Sequence, residues 1–324
     1  MRWLVTGGAG YLGAHVVAAM AAAGQDVVVL DDLSTGVPDR VAGHPLVVSS
    51  VLDQDAVADA LTGAGITGIV HLAAKKTAPE SLARPLDYYR QNVEGLRRLL
   101  AAAAATGVRA FAFTSSAAVY GTPEASPVGE DAPCRPVNPY GETKVVGEWL
   151  VADVARTTGM SFLNLRCFNV AGAASRLLAD THGQDLLQQV ADRLDAGVAP
   201  LVFGGDHPTP DGSCVRDFVD VRDVADAYVA AAELLASGPA PGLAVNIGRG
   251  AGVSVLEMCR LIAAEASSDL APRVVERRAG DPPAVVADVD RARRLLGWHP
   301  RREVREMVRS ALAGRAGGRP APGA

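Results

Sequence analysis

The first thirty-one residues constrain the fold of this chain more than any other stretch. Arg2–Thr6 is a short β-branched and aromatic run that stops at Gly7-Gly8-Ala9-Gly10-Tyr11-Leu12-Gly13. Helical periodicity follows through Val16, Val17 and Met20 to Gly24, and a second strand-like run, 26–30, ends at Asp31. Strand, glycine turn, helix, strand and acid, in that order, are the setting in which a Gly-x-x-Gly-x-x-Gly spacing acts as a dinucleotide cradle. Glycines let the main chain approach a pyrophosphate, and the helix start points unpaired N–H groups at it. A carboxylate at Asp31 accepts from both ribose hydroxyls and repels a 2′-phosphate, which predicts NAD rather than NADP.

The alternation continues. Residues 46–51 read as strand and 54–61 as helix, 68–73 as a buried strand and 92–105 as a long helix. Then come 110–115 as strand, 139–157 as helix and 161–168 as strand. Such a succession with short connections predicts an α/β fold, a doubly wound parallel sheet (Rossmann-like) covered on both faces. Lys75, Lys76, Ser115, Ser116 and Asn169 fall at the C-terminal ends of these strands, the edge where open parallel sheets bind ligands. After Asn169 the pattern changes: helix at 183–196, strand at 200–204, turn-formers at 205–212, helix at 224–235. Strand at 244–248, helix at 253–264, a loop with Arg277 and Arg278, and helix at 303–312 complete it. We therefore expect an NAD-binding domain over residues 1–170 and a smaller C-terminal α/β substrate-binding domain over 171–312, with segments returning to the first. A disordered tail is expected at 313–324, where Gly, Ala, Pro and Arg cannot build a core.

One stretch carries chemistry, Asn138-Pro139-Tyr140-Gly141-Glu142-Thr143-Lys144. Asn138 suits a helix N-cap and Pro139 the first helical position, so Tyr140 and Lys144 share one helix face in the first turns. A lysine cation and the positive helix end both favour the phenolate. Lowering the phenol by about three units takes roughly 4 kcal/mol of differential stabilisation and makes it a general base near neutral pH. Lysine is scarce here: Lys75, Lys76 and Lys144 are all there are among 31 basic residues, so the pairing is seldom met by chance.

Charge and cysteine usage narrow the setting. The net charge of −5, without a basic run ahead of the C-terminal segment, argues against nucleic acid and anionic membrane as partners. No apolar run reaches membrane-spanning length, and with a strand expected from Arg2 onward no signal peptide is expected. Cys134, Cys167, Cys214 and Cys259 have no metal-ligand spacing and point to free thiols in a reducing cytoplasm.

Nearly end to end the chain resembles the extended short-chain dehydrogenase/reductases, and within them the UDP-glucose 4-epimerases. The most specific matches are Leu30-Asp31-Asp32-Leu33-Ser34-Thr35-Gly36, His71-Leu72-Ala73-Ala74-Lys75-Lys76 and Ser115-Ser116-Ala117-Ala118-Val119-Tyr120-Gly121. Arg166-Cys167-Phe168-Asn169, Pro208-Thr209-Pro210-Asp211-Gly212 with Val215-Arg216-Asp217, and Arg278-Ala279-Gly280-Asp281 extend it. The resemblance implies catalysis by Ser116, Tyr140 and Lys144. It implies NAD contacts from Gly7, Gly10, Tyr11, Leu12, Gly13, Asp31, Asp32, Leu72, Ala73, Ala74, Lys76, Asn92, Ser115, Tyr140, Lys144 and Phe168. The sugar nucleotide is expected at Lys76, Ser116, Ala117, Tyr140, Asn169, Leu201, Phe203, Arg216, Arg278, Asp281 and Val285. Planar guanidinium groups suit a diphosphate on physical grounds as well.

The implied reaction is epimerisation at C4: Tyr140 takes the O4 proton, hydride leaves C4, and the 4-keto sugar turns over before hydride returns to its other face. A homodimer built on the helices at 92–105 and 139–157 is also implied. Their apolar positions are Val93, Leu96, Leu99 and Leu100 on one, and Val145, Val146, Trp149, Leu150 and Val154 on the other. Four departures bear on ligands: Val51 near the adenine where an acid is usual, a short loop ending Gln184-Asp185-Leu186, Cys167 for a tyrosine, and His207 for an aromatic. Alternatives are a UDP-N-acetylhexosamine or UDP-uronate 4-epimerase and a non-catalytic NAD-sensing module. A 4,6-dehydratase needs an added acid/base pair beside the active-site hydroxyl, where this chain has Ala117 and Ala118.

Overall fold

The protein is described from a computed structural model, which covers residues 1–181, 185–240, 242–278 and 280–315. β1 (Arg2–Thr6), α1 (Tyr11–Ala22), β2 (Asp26–Asp31) and β3 (Leu46–Val48) come first, with a 3-10 turn at Pro38–Val41. Then follow α2 (Gln54–Gly63), β4 (Gly68–His71), α3 (Ala78–Ala83) and α4 (Pro85–Tyr88). A π-helical turn at Tyr89–Glu94 leads into α5 (Gly95–Thr106), β5 (Ala110–Ser116), α6 (Pro139–Thr158) and β6 (Ser161–Cys167). The remainder holds β7 (Asn169–Ala171), α7 (Leu186–Asp195), β8 (Leu201–Phe203), β9 (Val215–Asp220) and α8 (Val221–Ser237). Last come β10 (Leu243–Ile247), β11 (Gly252–Ser254), α9 (Val255–Glu265), β12 (Arg273–Val275), β13 (Ala284–Val285), α10 (Asp290–Leu296) and α11 (Val304–Arg315).

Seven strands form one parallel sheet in the order β3-β2-β1-β4-β5-β6-β10. This is the doubly wound arrangement, with a strand from the C-terminal half added outside β6. The strands are apolar along their length because both faces are covered. On one side Val16, Val17 and Met20 of α1 pack with Val224, Tyr228 and Ala231 of α8 and with Trp298. On the other, Val57 and Leu61 of α2 meet Leu96, Leu99 and Leu100 of α5 and Val151 of α6. Each large apolar side chain so buried contributes about 1.5–3 kcal/mol. A second sheet joins β9 to antiparallel β11 and to parallel β7 and β13, under α7, α9 and α11.

Several expectations are corrected. β3 stops at Val48, and Val51 turns into the core, where a side chain added at Gly95 would lie 2.8 Å from it. Val51 is therefore a core residue. Residues 313–315, expected in the tail, belong to α11, which continues through Arg315, whose guanidinium holds Asp192 and Asp195 at 2.7 Å each. Residues 316–324 lie outside the described residues, as do 183 and 184 of the helix expected at 183–196. That helix runs Leu186–Asp195, with the Asp185 carboxylate accepting from Gln188 N at 2.8 Å. Leu96, Leu99 and Leu100, read as candidates for an intersubunit face, are core residues, whereas Trp149 is 64% exposed.

Candidate active site

Asn138 caps α6 as its sequence predicts, its side chain accepting from Gly141 N at 2.9 Å with Pro139 in the first turn. Gly141 is what lets this helix start come close to the turn after β5. A side chain there would fall 2.6 Å from the Ala118 carbonyl. Tyr140 and Ser116 are thereby neighbours across two elements, and the Ser116 hydroxyl pulls the Tyr140 phenol down. Lys144 is 4% exposed; its Nζ donates to the Thr114 carbonyl at 2.9 Å and lies 5.2 Å from the Phe113 ring centre and 5.8 Å from that of Tyr140.

The expected depression of the tyrosine is not what this protein shows. Burial pushes Tyr140 up to about 12 against the Ser116 contact. Burial also brings Lys144 down to about 8, opposed by Cys167 and Glu148. The ammonium is spent on a backbone carbonyl one strand away, and desolvation of an anion outweighs a cation held over the ring.

The glycine loop is built for close approach. Gly7 has φ +69°, and a side chain at Gly13 would lie 2.0 Å from the Gly7 carbonyl oxygen. Gly10 caps α1 with no side-chain hydrogen bond, so the first-turn amides of Tyr11, Leu12 and Gly13 are left for an anionic group. Leu72, Ala73 and Ala74 run beside this loop; a side chain at Gly7 would meet Ala73 N at 2.7 Å. Asp31 accepts from Ala9 N and Leu33 N, both at 2.9 Å, one on each carboxylate oxygen, and each oxygen retains a lone pair for a ribose hydroxyl. Asp32, exposed beside it, accepts from the Ser34 amide and hydroxyl. An orphaned helix start, a clash-limited glycine loop and an acid at the second strand fit NAD.

Other predicted cofactor residues make contacts within the chain. The Tyr11 hydroxyl donates to the Gly172 carbonyl at 2.6 Å, so only its amide faces the groove. Asn92 clamps the segment after β4: its Oδ1 accepts from Lys75 N at 2.8 Å, while Nδ2 donates to Lys75 O and Thr143 Oγ1, each at 3.0 Å. Ser115 points inward to Glu148, and Phe168 packs with Val119, Tyr120, Val145 and Val285. Val285 is thus buried. Lys76 is more than half exposed, with Nζ 3.7 Å from the buried Asp180 carboxylate and 5.6 Å from the Tyr11 ring centre. Asp180 is an acid that the sequence reading missed.

A second group assembles on the smaller sheet. Alternation along β8 turns Val202 into the core and leaves Leu201 and Phe203 part-exposed. The Arg278 guanidinium stacks 3.8 Å from the Phe203 ring centre. Arg216 donates to the Pro282 carbonyl at 2.8 Å and stands 3.8 Å from Asp281. Asn169 is exposed at the start of β7, next to the end of β6, and Ala117 sits in the turn after Ser116. The His207 ring is buried against the Cys214 thiol, at 3.3 Å, and supports the loop before β9.

A doubly wound sheet, a glycine cradle at α1 and a tyrosine–lysine pair on α6 define an NAD-dependent protein of the extended short-chain dehydrogenase/reductase class. Residues 3–248 match the NAD dependent epimerase/dehydratase family, and the chain belongs to that family. It is 40% identical over 318 residues to the UDP-glucose 4-epimerase of Azospirillum brasilense, covering 96% of this chain and 91% of that one. The structure of UDP-glucose-4-epimerase from Stenotrophomonas maltophila, with bound NAD and formylated UDP-arabinopyranose, has a TM-score of 0.93 at 35% identity and covers 98% of each chain. That of the UDP-Glc/GlcNAc 4-epimerase from Campylobacter jejuni has a TM-score of 0.85 at 32% identity, covering 97% and 98%.

Proposed function

We propose that the protein interconverts UDP-glucose and UDP-galactose by NAD-dependent 4-epimerisation. The observation that carries this is the meeting of Ser116, Tyr140 and Lys144 at the sheet edge that also holds the glycine cradle. Bound NAD supplies the hydride acceptor and donor. Tyr140 is a neutral phenol in the cofactor-free protein; as the phenolate, a form that the positive charge of bound NAD would favour together with the Lys144 cation, it takes the proton from the sugar O4 and returns it, while Ser116 orients that oxygen. Arg216 and Arg278, with Asp281, Phe203 and Leu201, hold the nucleotide diphosphate and base. Anchoring there leaves the hexose free to turn. The test is incubation with UDP-glucose, UDP-N-acetylglucosamine and UDP-glucuronate separately, with epimers resolved by chromatography and proton NMR. No exchange of UDP-glucose with UDP-galactose would overturn the reading.

N-acetylhexosamine breadth has a specific residue behind it. Val285 stands four places after Asp281, with Pro282 and Pro283 holding the approach extended. A small side chain at this wall leaves room beside the sugar. UDP-N-acetylglucosamine is expected to turn over within about tenfold of UDP-glucose, a difference below roughly 1.4 kcal/mol. Val285→Tyr should abolish that activity and spare the other. We further place the enzyme in the cytoplasm as a homodimer. Its seam is the groove between α5 and α6, lined by Ala101, Ala104, Leu150 and Val154, with Trp149 exposed on α6.

A further inference from the structure

Three side chains of the dinucleotide-binding elements end on the main chain of one segment, residues 172–179. The Tyr11 hydroxyl donates to the Gly172 carbonyl at 2.6 Å, and His15 Nε2 accepts from Ala174 N at 3.0 Å. The Arg40 guanidinium donates to the Leu177 carbonyl at 3.1 Å and to the Ala179 carbonyl at 2.5 Å. Tyr11 and His15 are four apart on α1, with ring centres 5.3 Å apart, and Arg40 lies in the 3-10 turn at Pro38–Val41. The segment itself is neither helix nor strand, so its main-chain groups must find partners elsewhere. Ser310 of α11 takes one of them, the Ala173 amide, at 3.1 Å. The segment follows β7, which begins at Asn169, and leads to Asp180, whose carboxylate is 3.7 Å from Lys76 Nζ. Its course is thus set mainly from the side of the glycine cradle.

His15 is the member of this set with a demanding geometry. Its ring is 3% exposed, and Nδ1 lies 2.8 Å from the Tyr11 carbonyl oxygen. That oxygen can only accept, so Nδ1 must carry a hydrogen; the Ala174 amide can only donate, so Nε2 must be bare. One neutral tautomer satisfies both partners, and neither the other tautomer nor the imidazolium does. The charged and titratable groups facing the ring are Tyr11 on its own helix, Arg40 in the 3-10 turn, Asp220 at the N-cap of α8 and Arg222 on α8. Arg222 closes on Asp220 through Nε at 2.8 Å and Nη2 at 2.7 Å, so that anion is matched and the Arg40 cation is left over. Burial, with Arg40 and Arg222, holds the imidazole below its ordinary 6.5. A proton added at Nε2 would set one donor against another and free the Ala174 amide. Of the three holding side chains, His15 is the one whose charge can change in mild acid.

We propose that His15 is a positioning residue: as the Nδ1–H tautomer it pins the segment 172–179 to α1 and so holds Asp180 beside Lys76 at the edge of the nucleotide groove, and protonation of the ring releases the pin. Its consequence for turnover rests on the reaction proposed above. The pin itself does not, and is read on the full chain without substrate.

Histidine occurs at positions 15, 44, 71, 182, 207 and 299, so protein labelled with nitrogen-15 at histidine gives a short set of two-bond nitrogen–proton patterns. That of His15 is identified by its loss in His15→Gln and is expected to be the Nδ1–H pattern near pH 7.5. Hydrogen exchange read by mass spectrometry over residues 172–181 gives a second measure. His15→Phe keeps a ring and removes the acceptor, and exchange there should be at least about tenfold faster than in the wild type. His15→Gln, with an oxygen acceptor at the ε position, should stay within about threefold of the wild type. Corrected for the intrinsic pH dependence of amides, wild-type exchange should rise as pH falls from about 6.5 toward 4, and His15→Phe should lack that rise. The proposal is overturned by an Nε2–H or protonated His15 near neutral pH, by equal exchange in wild type and His15→Phe, by a His15→Gln as fast as His15→Phe, or by no acid rise peculiar to the wild type. Should His15→Phe fail to fold, the wild-type tautomer and His15→Gln exchange decide the matter. A pinned segment in a protein that turns over no sugar nucleotide would defeat the proposed reaction and leave the role of His15 intact.

Discussion

At Tyr140 one turn of helix sets a phenol beside an ammonium, and burial moves the two in opposite directions, to about 12 and about 8. Tyr140→Phe removes the proton acceptor while keeping the ring that packs against Tyr88, with centroids 6.5 Å apart. We expect a folded protein that binds NAD and loses at least about two orders of magnitude in kcat, read by a coupled epimerisation assay. The spacing of the pair was legible in the chain because capping and helix period are local. The sign of the tyrosine shift was not, because it depends on cover supplied by strands and helices far along the sequence. His71 makes a related point about pH. Burial, with Lys144 nearby, lowers its pKa from 6.5 to about 3, and Nδ1 lies 2.7 Å from Thr6 Oγ1. The unfolded chain takes up this proton near 6.5 and the native chain does not, so stability present above that pH is lost as pH falls toward 3. The slope is at most about 1.4 kcal/mol per pH unit. Urea midpoints between pH 6.5 and 4 should fall less steeply for His71→Leu than for the wild type.

Among elements, the wide turn at Tyr89–Glu94 ahead of α5 does a specific job. It carries Asn92, which joins the main chain of Lys75 to Thr143 on α6 and so fixes the segment beside the glycine loop relative to the catalytic helix. Asn92→Ala leaves the Lys75 amide and carbonyl without these partners. A loss of about 1–3 kcal/mol is expected in urea unfolding, with weaker NAD binding by calorimetry. An apolar period of 3.6 made this stretch readable as helix, but nothing in that period distinguishes a π turn or names the partners of its asparagine. The long parallel strands were legible for a similar reason, being continuous apolar runs between turn signals. β7, β11, β12 and β13 are two or three residues each, too short for any alternation, and are defined by partners distant in sequence.

For the whole molecule, Trp149 is the large apolar side chain that the α5–α6 packing leaves outside. At micromolar concentration light scattering is expected to give a dimer mass for the wild type, as the proposed seam requires, and a monomer mass for Trp149→Glu with an unaltered far-ultraviolet spectrum. The same scale holds a point about order in time. β10 adds the outermost strand of the large sheet, beside β6, and between the two the chain travels through β7, α7, β8, β9 and α8. As the polypeptide emerges from the ribosome, six strands can zip together while the seventh has yet to be made. Throughout that interval β6 presents bare main-chain donors and acceptors, the kind of edge on which another nascent chain can nucleate. The nucleotide half is thus first in sequence but cannot be finished first, and a gene cut at its apparent boundary encodes a sheet that ends at β6, one strand short of the native seven.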